Sequence, residues 1–235
     1  DVYKRQRLHW ALLADFDSRF GVLETGLPEH EKERARRFRV TAAGQRFVLA
    51  RTLLRSIVSD DVGADPASLI FGVGEHGKPH LVAPDPPRAF GFNLSHSGGV
   101  VVVAAAEHEI GVDVEHLRTV PNAEKLAHRF FSPNESGLIL AFDDADRDRA
   151  FLRIWTQKEA WLKATGLGVG MPLREVETEA DPSRPPRLLS ISGDTDAAGR
   201  WSLIEAEIPG AVCIVAVEAA EVELETRRFT PENLE

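Results

Sequence analysis

Two acidic residues stand two positions apart in the segment Gly111-Val112-Asp113-Val114-Glu115. The alternation with valine predicts a β-strand, in which Asp113 and Glu115 share one face about 6–7 Å apart and the valines face a core. Like charges at that distance repel each other. Two hard oxygen ligands at this spacing suit a magnesium ion that keeps water and a substrate phosphate in its other positions. An exposed polar strand face would give the same pattern, so this segment alone leaves both interpretations open.

A third carboxylate interrupts the apolar stripe of a predicted helix. Glu159 falls at helical spacing from Trp155 and Leu162, and Lys163 follows it by one turn. A carboxylate at the edge of a buried face needs compensation, which a metal ion would provide. An ordinary surface ion pair between Glu159 and Lys163 is the alternative.

A polar segment, Phe92-Asn93-Leu94-Ser95-His96-Ser97-Gly98-Gly99, precedes the apolar run at residues 100–106. We predict a turn here, whose backbone N–H groups, hydroxyls and imidazole face phosphate oxygens. The alternative, without a role in binding, is a hairpin turn with a structural histidine. Together, the three segments supply the metal ligands, cations and positioned donors that phosphoryl transfer requires.

The elements that must position these residues are readable from periodicity and turn chemistry. Ser132 followed by Glu135 predicts a capped short helix, and Gly166 is expected to end the helix that carries Glu159. The glycine pattern at residues 72–77 is not followed by a helical period, which argues against a dinucleotide site. The elements indicate an α+β fold, with helices predicted at residues 29–39, 42–58, 123–131 and 147–165 and strands at 8–15, 69–73, 100–106, 110–115, 187–191, 201–207 and 213–219.

Composition and charge narrow the function classes. With 43% hydrophobic and 28% charged residues, the 235-residue chain is typical of a globular protein of one large or two smaller domains. The net charge of −9 argues against a general nucleic-acid binder. One cysteine, Cys213, excludes a disulfide framework and a cysteine zinc site. No apolar run approaches the ~20 residues of a membrane helix and no secretory signal is evident, so we expect a cytoplasmic protein that does not bind membranes.

Five segments in this order resemble the 4′-phosphopantetheinyl transferases, in particular the longer, surfactin-synthetase-activating type. The resemblance implies a pseudo-twofold monomer of two similar helix-on-sheet halves, with the active site between them. We place the halves at residues 8–110, with coenzyme A contacts, and 111–225, with the metal ligands and the catalytic helix. The matching segments are Gly77-Lys78-Pro79, Asn93-Leu94-Ser95-His96-Ser97, Gly111-Val112-Asp113-Val114-Glu115, Phe130-Phe131-Ser132 and residues 155–163.

The resemblance also implies the roles of individual residues. Three carboxylates match the Mg²⁺ ligands of the family: Asp113, Glu115 and Glu159. Six residues match its coenzyme A contacts: Arg46, Lys78, Ser95, His96, Lys158 and Lys163. The catalytic group is then Glu159, Lys163 and His96. One departure stands out, because Glu31 occupies a position that is basic in the family. Residues 117–128 correspond to the region that docks the carrier protein.

The function that follows is transfer of the 4′-phosphopantetheine arm of coenzyme A to a serine of an apo acyl or peptidyl carrier protein, with release of 3′,5′-ADP. Two alternatives come from other classes. Paired carboxylates also suit a metal-dependent phosphodiesterase, and the same residues would serve a non-catalytic module that binds coenzyme A or a carrier. The sequence does not identify the carrier.

Overall fold

The computed structural model describes residues 5–86 and 89–234. The N-terminal half builds a sheet with one long helix against it. Its helices are α1 (Phe20–Thr25), α2 (Glu29–Arg36) and α3 (Thr41–Val62), and its strands are β1 (Arg5–Leu12), β2 (Ile70–Val73), β3 (Pro79–Ala83), β4 (Gly91–Ser97) and β5 (Val100–Ala106).

The C-terminal half repeats this plan with more helices between its first strand and its long helix. The helices are α4 (Ala123–Phe130), α5 (Pro133–Leu140), α6 (Asp144–Thr165) and α7 (Thr195–Gly199). The strands are β6 (Ile110–His116), β7 (Val176–Thr178), β8 (Leu188–Ile191), β9 (Ser202–Ile208), β10 (Ala211–Val217) and β11 (Glu223–Arg228).

The same order of elements occurs in both halves. In each, a first strand is followed by a 22-residue helix, a two-stranded hairpin and two antiparallel strands, the second of which lies beside the first strand. The sheet orders are β11-β1-β5-β4 and β6-β10-β9, and β11 joins β1 in parallel. Both long helices end at a left-handed glycine, Gly63 at φ 65° and Gly166 at φ 68°. The expected α+β fold of two similar helix-on-sheet halves is therefore confirmed, while the exact boundary between residues 110 and 111 stays a prediction.

The two sheets pack face to face, with α3 and α6 on their outer faces. In β5, Val101 and Val103 pack against the α3 side, whereas Val100 and Val102 face the other sheet. The strand is thus buried on both faces, which explains its unbroken apolar sequence. In β6, Val112 and Val114 join the core between the sheets. The opposite face of β6 therefore meets α6.

Several predicted elements differ from the structure. The turn predicted at residues 92–99 is confined to Gly98 and Gly99, because residues 92–97 form most of β4 and pair with β5. Its side chains alternate, so that Asn93 and Ser95 are buried while His96 is exposed. The strand predicted at residues 8–15 begins at Arg5 and ends at Leu12. The glycine-rich segment after β2 is the turn of a hairpin with β3, not the start of a nucleotide-binding helix.

No helix in the described part of the chain is both long enough and apolar enough to cross a membrane.

Candidate active site

The position of α6 on β6 depends on Gly111. A Cβ atom at Gly111 would lie 2.1 Å from the carbonyl oxygen of Ala160 and 2.3 Å from the amide nitrogen of Ala164. Any larger residue would push the helix away from the strand. A glycine inside a strand often marks such a close approach of two backbones. Gly111, within the β6 sequence, is therefore the sequence signal for this helix–strand contact, although it carries no chemical group of its own. Because Gly111 and Asp113 share a face, the contact brings α6 against Asp113.

Asp113 is 5% exposed and is held from two elements. Its Oδ1 atom accepts hydrogen bonds from Lys163 Nζ on α6, at 2.7 Å, and from Ser95 Oγ on β4, at 2.9 Å. Burial raises the pKa of Asp113, and the positive charge of Lys163 opposes that rise. The Oδ2 atom is buried and has no hydrogen-bond partner among the described residues. A buried carboxylate oxygen without a partner is costly and calls for a bound cation or water.

Glu115 lies two residues further along the same face. Its Oε2 atom accepts hydrogen bonds from Ser97 Oγ, at 2.9 Å, and from Arg118 Nη1, at 2.7 Å. Ser97 Oγ also lies 3.1 Å from Nδ1 of His116. These contacts fix the half-buried Glu115 carboxylate at the end of β6, and neither Ser97 nor Arg118 was among the predicted site residues.

Glu159 faces the same place from α6. Burial raises the pKa of Glu159, and the negative charges of Asp113 and Glu115 raise it further, against the opposing effect of Lys163. The structure therefore brings the three predicted acidic residues within electrostatic reach of one another. Two cations, Lys163 and Arg118, meet these three carboxylates, so the site carries an excess of negative charge.

The residues present fit a magnesium ion by their chemistry. Carboxylate oxygens are the ligands that Mg²⁺ prefers, and the unpartnered Oδ2 of Asp113 leaves one available. Within the described ranges, no three histidine, cysteine, aspartate or glutamate side chains are already clustered as a metal cage. Lys163 holds Asp113 Oδ1 in this structure, so the carboxylates would have to close around an ion.

A cavity of about 660 Å³ opens beside Glu159 and Lys163, between the two halves of the chain. The N-terminal half contributes the turn before β3 and the start of β4, and the C-terminal half contributes α6 and the segment after it. Lys78 and Lys163 line one end. At the other end the ring of Phe130 meets that of Trp155 edge-on, with centroids 5.8 Å apart. The lining comprises His76, Gly77, Lys78, Pro79, Asn93, Leu94, Arg129, Phe130, Trp155, Glu159, Leu162, Lys163, Gly166, Gly168, Met171, Pro172, Leu173 and Arg174.

Of three further predicted coenzyme A contacts, Lys78 lines this cavity, whereas Arg46 and His96 are not among its lining residues. Lys78 donates to the carbonyl oxygen of Ala164 and pairs with Glu109. Arg46 is half-buried and donates to the carbonyl oxygen of Gly98 at 3.2 Å. His96 is exposed on β4; partial burial lowers its pKa, as do the charges of Arg46 and Lys163. Arg46 and Lys163 thus both lie close enough to act on His96.

Lys158 is placed differently from the predicted ligand contacts. It is fully buried, and its ammonium donates to Glu135 Oε2 at 2.7 Å, to the carbonyl oxygen of Leu173 at 3.0 Å and to that of Val176. All three of its donors are occupied inside the fold, so Lys158 does not offer a hydrogen bond to the cavity in this structure. Glu159, the next residue, is turned by about 100° around the helix axis and lines the cavity, which Lys158 does not.

Glu135 is the buried partner of Lys158 and is satisfied on both oxygens. Oε2 also accepts from the amide of Ser132, completing the predicted capping box, and Oε1 accepts from the amide and hydroxyl of Thr178 at 2.8 Å each. Glu135 therefore ties α5, α6 and β7 together. The capping box was predicted from the sequence, but the pairing with Lys158 was not.

Glu31 explains the departure from the family pattern. It is 3% exposed and binds Arg55 through both oxygens, with Arg51 as a second partner. Although burial alone would raise it, hydrogen bonds from Arg55 and Arg51 lower the pKa of Glu31. Glu31 thus belongs to a buried ion cluster between α2 and α3, whereas Arg34 lies over the ring of Phe47.

Comparisons with known proteins identify the family. Residues 109–215 match a family model described as the 4′-phosphopantetheinyl transferase superfamily, and residues 15–108 match one described as 4′-phosphopantetheinyl transferase, N-terminal. The 4′-phosphopantetheinyl transferase HetI of Nostoc sp. is 36% identical over 87% of this chain and 83% of its own length. The 4′-phosphopantetheinyl transferase Sfp of Bacillus subtilis is 36% identical over 61% of this chain and 62% of its own. The crystal structure of holo-[acyl-carrier-protein] synthase from Thermotoga maritima is 26% identical over 47% of this chain and 63% of its own, with a TM-score of 0.36.

Proposed function

The chain belongs to the 4′-phosphopantetheinyl transferase superfamily, and we propose which of its residues carry out the transfer. It is an enzyme that moves the phosphopantetheine group of coenzyme A onto a carrier protein. The observation that carries the assignment of the site is the group of three carboxylates beside the cavity, with one buried oxygen that lacks a partner. The comparisons give no support to a phosphodiesterase or to a non-catalytic binding module.

We assign Asp113, Glu115 and Glu159 as the ligands of a magnesium ion. A bound Mg²⁺ would polarise the pyrophosphate of coenzyme A as a Lewis acid. The excess negative charge among these side chains supports the assignment, since a buried group of like charges is stabilised by a cation. Ser95 is 6% exposed and donates a hydrogen bond to Asp113. We therefore assign Ser95 the role of orienting the Asp113 carboxylate.

Three cations and one imidazole contact the phosphates of coenzyme A in this proposal. Lys163 exchanges its contact with Asp113 for a pyrophosphate oxygen, where its charge offsets the charge that develops during transfer. Lys78 lines the cavity, and Lys78, Arg46 and the imidazole of His96 bind the nucleotide phosphates. Lys158 is assigned a structural role because its donors are occupied by Glu135 and two carbonyl oxygens.

Glu159 is assigned as the group that accepts the proton of the carrier serine. A raised pKa makes its carboxylate a stronger base, and its side chain lines the cavity. The serine oxygen forms a bond to the phosphorus that bears the pantetheine arm. The bond from that phosphorus to the bridging oxygen breaks, and 3′,5′-ADP leaves with the electron pair. The apolar wall of the cavity, at Phe130, Trp155 and Leu162, would receive the arm.

The remaining proposals concern the state of the protein in the cell. We propose a monomer, because two halves of a single chain already enclose the cavity. Burial raises the pKa of Cys213 and keeps its thiol protonated, which is compatible with the cytoplasm. The net charge of −9 argues against nucleic acid as a partner.

A transfer assay tests the assignment of the site. The protein is incubated with coenzyme A, Mg²⁺ and a panel of apo carrier proteins, and the mass of each carrier is followed together with released 3′,5′-ADP. We expect a mass gain that a chelator abolishes and Mg²⁺ restores. Asp113→Asn should require a much higher Mg²⁺ concentration for the same rate. Release of 3′,5′-ADP without any carrier would contradict the transferase assignment, and an unchanged Mg²⁺ requirement in Asp113→Asn would contradict the metal ligand.

A further inference from the structure

Two guanidinium groups, those of Arg129 and Arg174, line the cavity and have no role in the proposed reaction. The guanidinium of Arg129 lies over the ring of Phe130, 5.0 Å from its centroid. Arg174 Nη2 donates to the carbonyl oxygen of Arg129 at 3.2 Å, which keeps its guanidinium beside the end of α4. Among the described residues, neither group is paired with a carboxylate, and both arginines line the cavity.

The arginines lie far from the proposed phosphate position. Phe130 packs edge-on against Trp155, so Arg129 belongs to the Trp155 end of the cavity. Trp155 and Lys163 both line the cavity from α6, and they are about 12 Å apart along the helix axis at ~1.5 Å per residue. The cavity therefore runs from a cationic end at Lys163 to an aromatic end that closes on Arg129 and Arg174.

The length of the pantetheine arm matches this distance. The arm contains two amide units in a chain comparable to about four residues, or roughly 14 Å when extended at ~3.5 Å each. If its phosphate lies at Lys163 and its chain follows the apolar side chains of Leu162 and Leu173, the sulfur arrives near Trp155 and Phe130. A group carried on that sulfur would then meet Arg129 and Arg174.

We propose that this end of the cavity selects acyl groups that end in a carboxylate, an inference that rests on the proposed function. The enzyme then transfers acyl-phosphopantetheine from dicarboxylic acyl thioesters of coenzyme A in preference to neutral acyl thioesters of the same length. Arginine suits this role because its planar donors match a carboxylate in a bidentate pair. The covalent step is unchanged: the serine oxygen bonds to phosphorus, the phosphoanhydride bond breaks towards 3′,5′-ADP, the serine proton goes to Glu159, and the thioester stays intact.

A comparison of matched donors tests the proposal. The full chain is given one apo carrier and coenzyme A, butyryl-coenzyme A or succinyl-coenzyme A, and kcat/KM is measured from the mass of the carrier. The two acyl groups share a four-carbon chain and differ in the terminal carboxylate. We expect about a tenfold preference for the succinyl donor at low salt, roughly the contribution of a single charge-assisted hydrogen bond at the low end of its range. The preference should fall as ionic strength rises.

Variants locate the preference on the two arginines. Arg129→Gln with Arg174→Gln should bring the succinyl-to-butyryl ratio close to one. Arg200→Gln is the matched control, since Arg200 is exposed, pairs with Glu218 and lies outside the cavity; its ratio should equal that of the unaltered protein. Thermal unfolding of each variant shows that it is folded.

Three outcomes would overturn the inference. Equal rates with succinyl and butyryl donors in the unaltered protein, insensitive to salt, would remove the selectivity. A ratio retained in the double variant would place the selectivity elsewhere. A loss shared by every donor, together with a raised KM for the carrier, would assign Arg129 and Arg174 to carrier docking. Absence of transfer from unacylated coenzyme A to any carrier would instead contradict the proposed function itself, and this inference with it.

Discussion

The two halves of this chain repeat one arrangement but treat charge differently. The face of β1 that meets α3 carries Arg7, which pairs with Asp61 of α3, and His9, which burial holds at a pKa of about 4 and thus neutral. The matching face of β6 carries Asp113 and Glu115, opposite Glu159 and a single ammonium on α6. Arg7 offsets Asp61 in the first half, whereas at the site of the second half three carboxylates face two cations, Lys163 and Arg118.

The same contrast holds for the buried ion clusters. Glu31 with Arg51 and Arg55, and Lys158 with Glu135, are enclosed and have their hydrogen bonds satisfied within the chain. Asp61 and Asp113 each keep one buried oxygen without a hydrogen-bond partner among the described residues, but Asp113 also lies with two further carboxylates, Glu115 and Glu159. Matched buried charge holds elements together, whereas unmatched buried charge marks the place where a ligand supplies the missing partner.

The strongest test of this contrast changes the unmatched site. Glu159→Gln keeps the shape of the side chain and removes its charge and its basicity. We expect kcat to fall by roughly 10²–10⁴-fold, the usual contribution of a general base, while the thermal midpoint stays equal or rises because one of three like charges is gone. Carrier mass and thermal unfolding measure the two effects. A variant that unfolds early would show that Glu159 is structural.

Two lysines of the same helix test the contrast from both sides. Lys158→Met leaves Glu135 buried without its cation and should lower the free energy of unfolding by about 3–5 kcal/mol, with transfer per folded molecule little changed. Lys163→Met should do the reverse, slowing transfer with a small change in stability, because Lys163 is partly exposed at the cavity. Urea unfolding and transfer rates are compared for both. Loss of stability in Lys163→Met together with slow transfer in Lys158→Met would contradict the proposed roles.

Gly111→Ala tests whether the close contact of α6 with β6 creates the site. The added methyl would overlap the backbone at Ala160 and Ala164, so we expect a loss of about 1–3 kcal/mol in stability and slower transfer as α6 moves. Gly137→Ala on α5 is a suitable control, since a Cβ there meets nothing within 4 Å. A fully active, stable Gly111→Ala protein would show that the helix position tolerates displacement.

The smallest effect is a pH dependence of stability that separates the two halves. Burial raises the pKa of Asp113 and Glu159 above their ordinary values of 3.8 and 4.5. Without a bound cation, the free energy of unfolding therefore falls as pH rises through the raised pKa values and these carboxyl groups ionise. Glu31 has a lowered pKa, so its stabilisation is present above 4.5 and is lost as pH falls. Each contribution is on the order of 1 kcal/mol. The free energy of unfolding is measured from pH 3 to 7. Its fall towards high pH should be weaker in Asp113→Asn, and its fall towards low pH should be weaker in Glu31→Gln. Unchanged pH dependence in either variant would contradict the assignment.

Sequence patterns predicted the local elements on which the site is built. The alternation in β6, the helical stripe around Glu159 and the capping box at Ser132 and Glu135 are all confirmed, because each depends on residues close in sequence. The turn predicted at residues 92–99 is wrong for its first six residues, and the reason is physical: polar side chains suggested a loop, but Asn93 and Ser95 are buried and bonded to Val112 and Asp113 of β6 in the facing sheet.

By itself, the sequence determined the family, the acidic face of one strand and the helix that opposes it, since period-two and helical patterns fix which side chains share a face. Only the tertiary structure decided which face of each helix and strand packs against which neighbouring element. It turned Lys158 into the core and Lys163 towards Asp113, and it brought Arg129 and Arg174 to the same end of one cavity. Those outcomes depend on the packing of residues distant in the chain, such as α6 against Gly111, which no local pattern encodes.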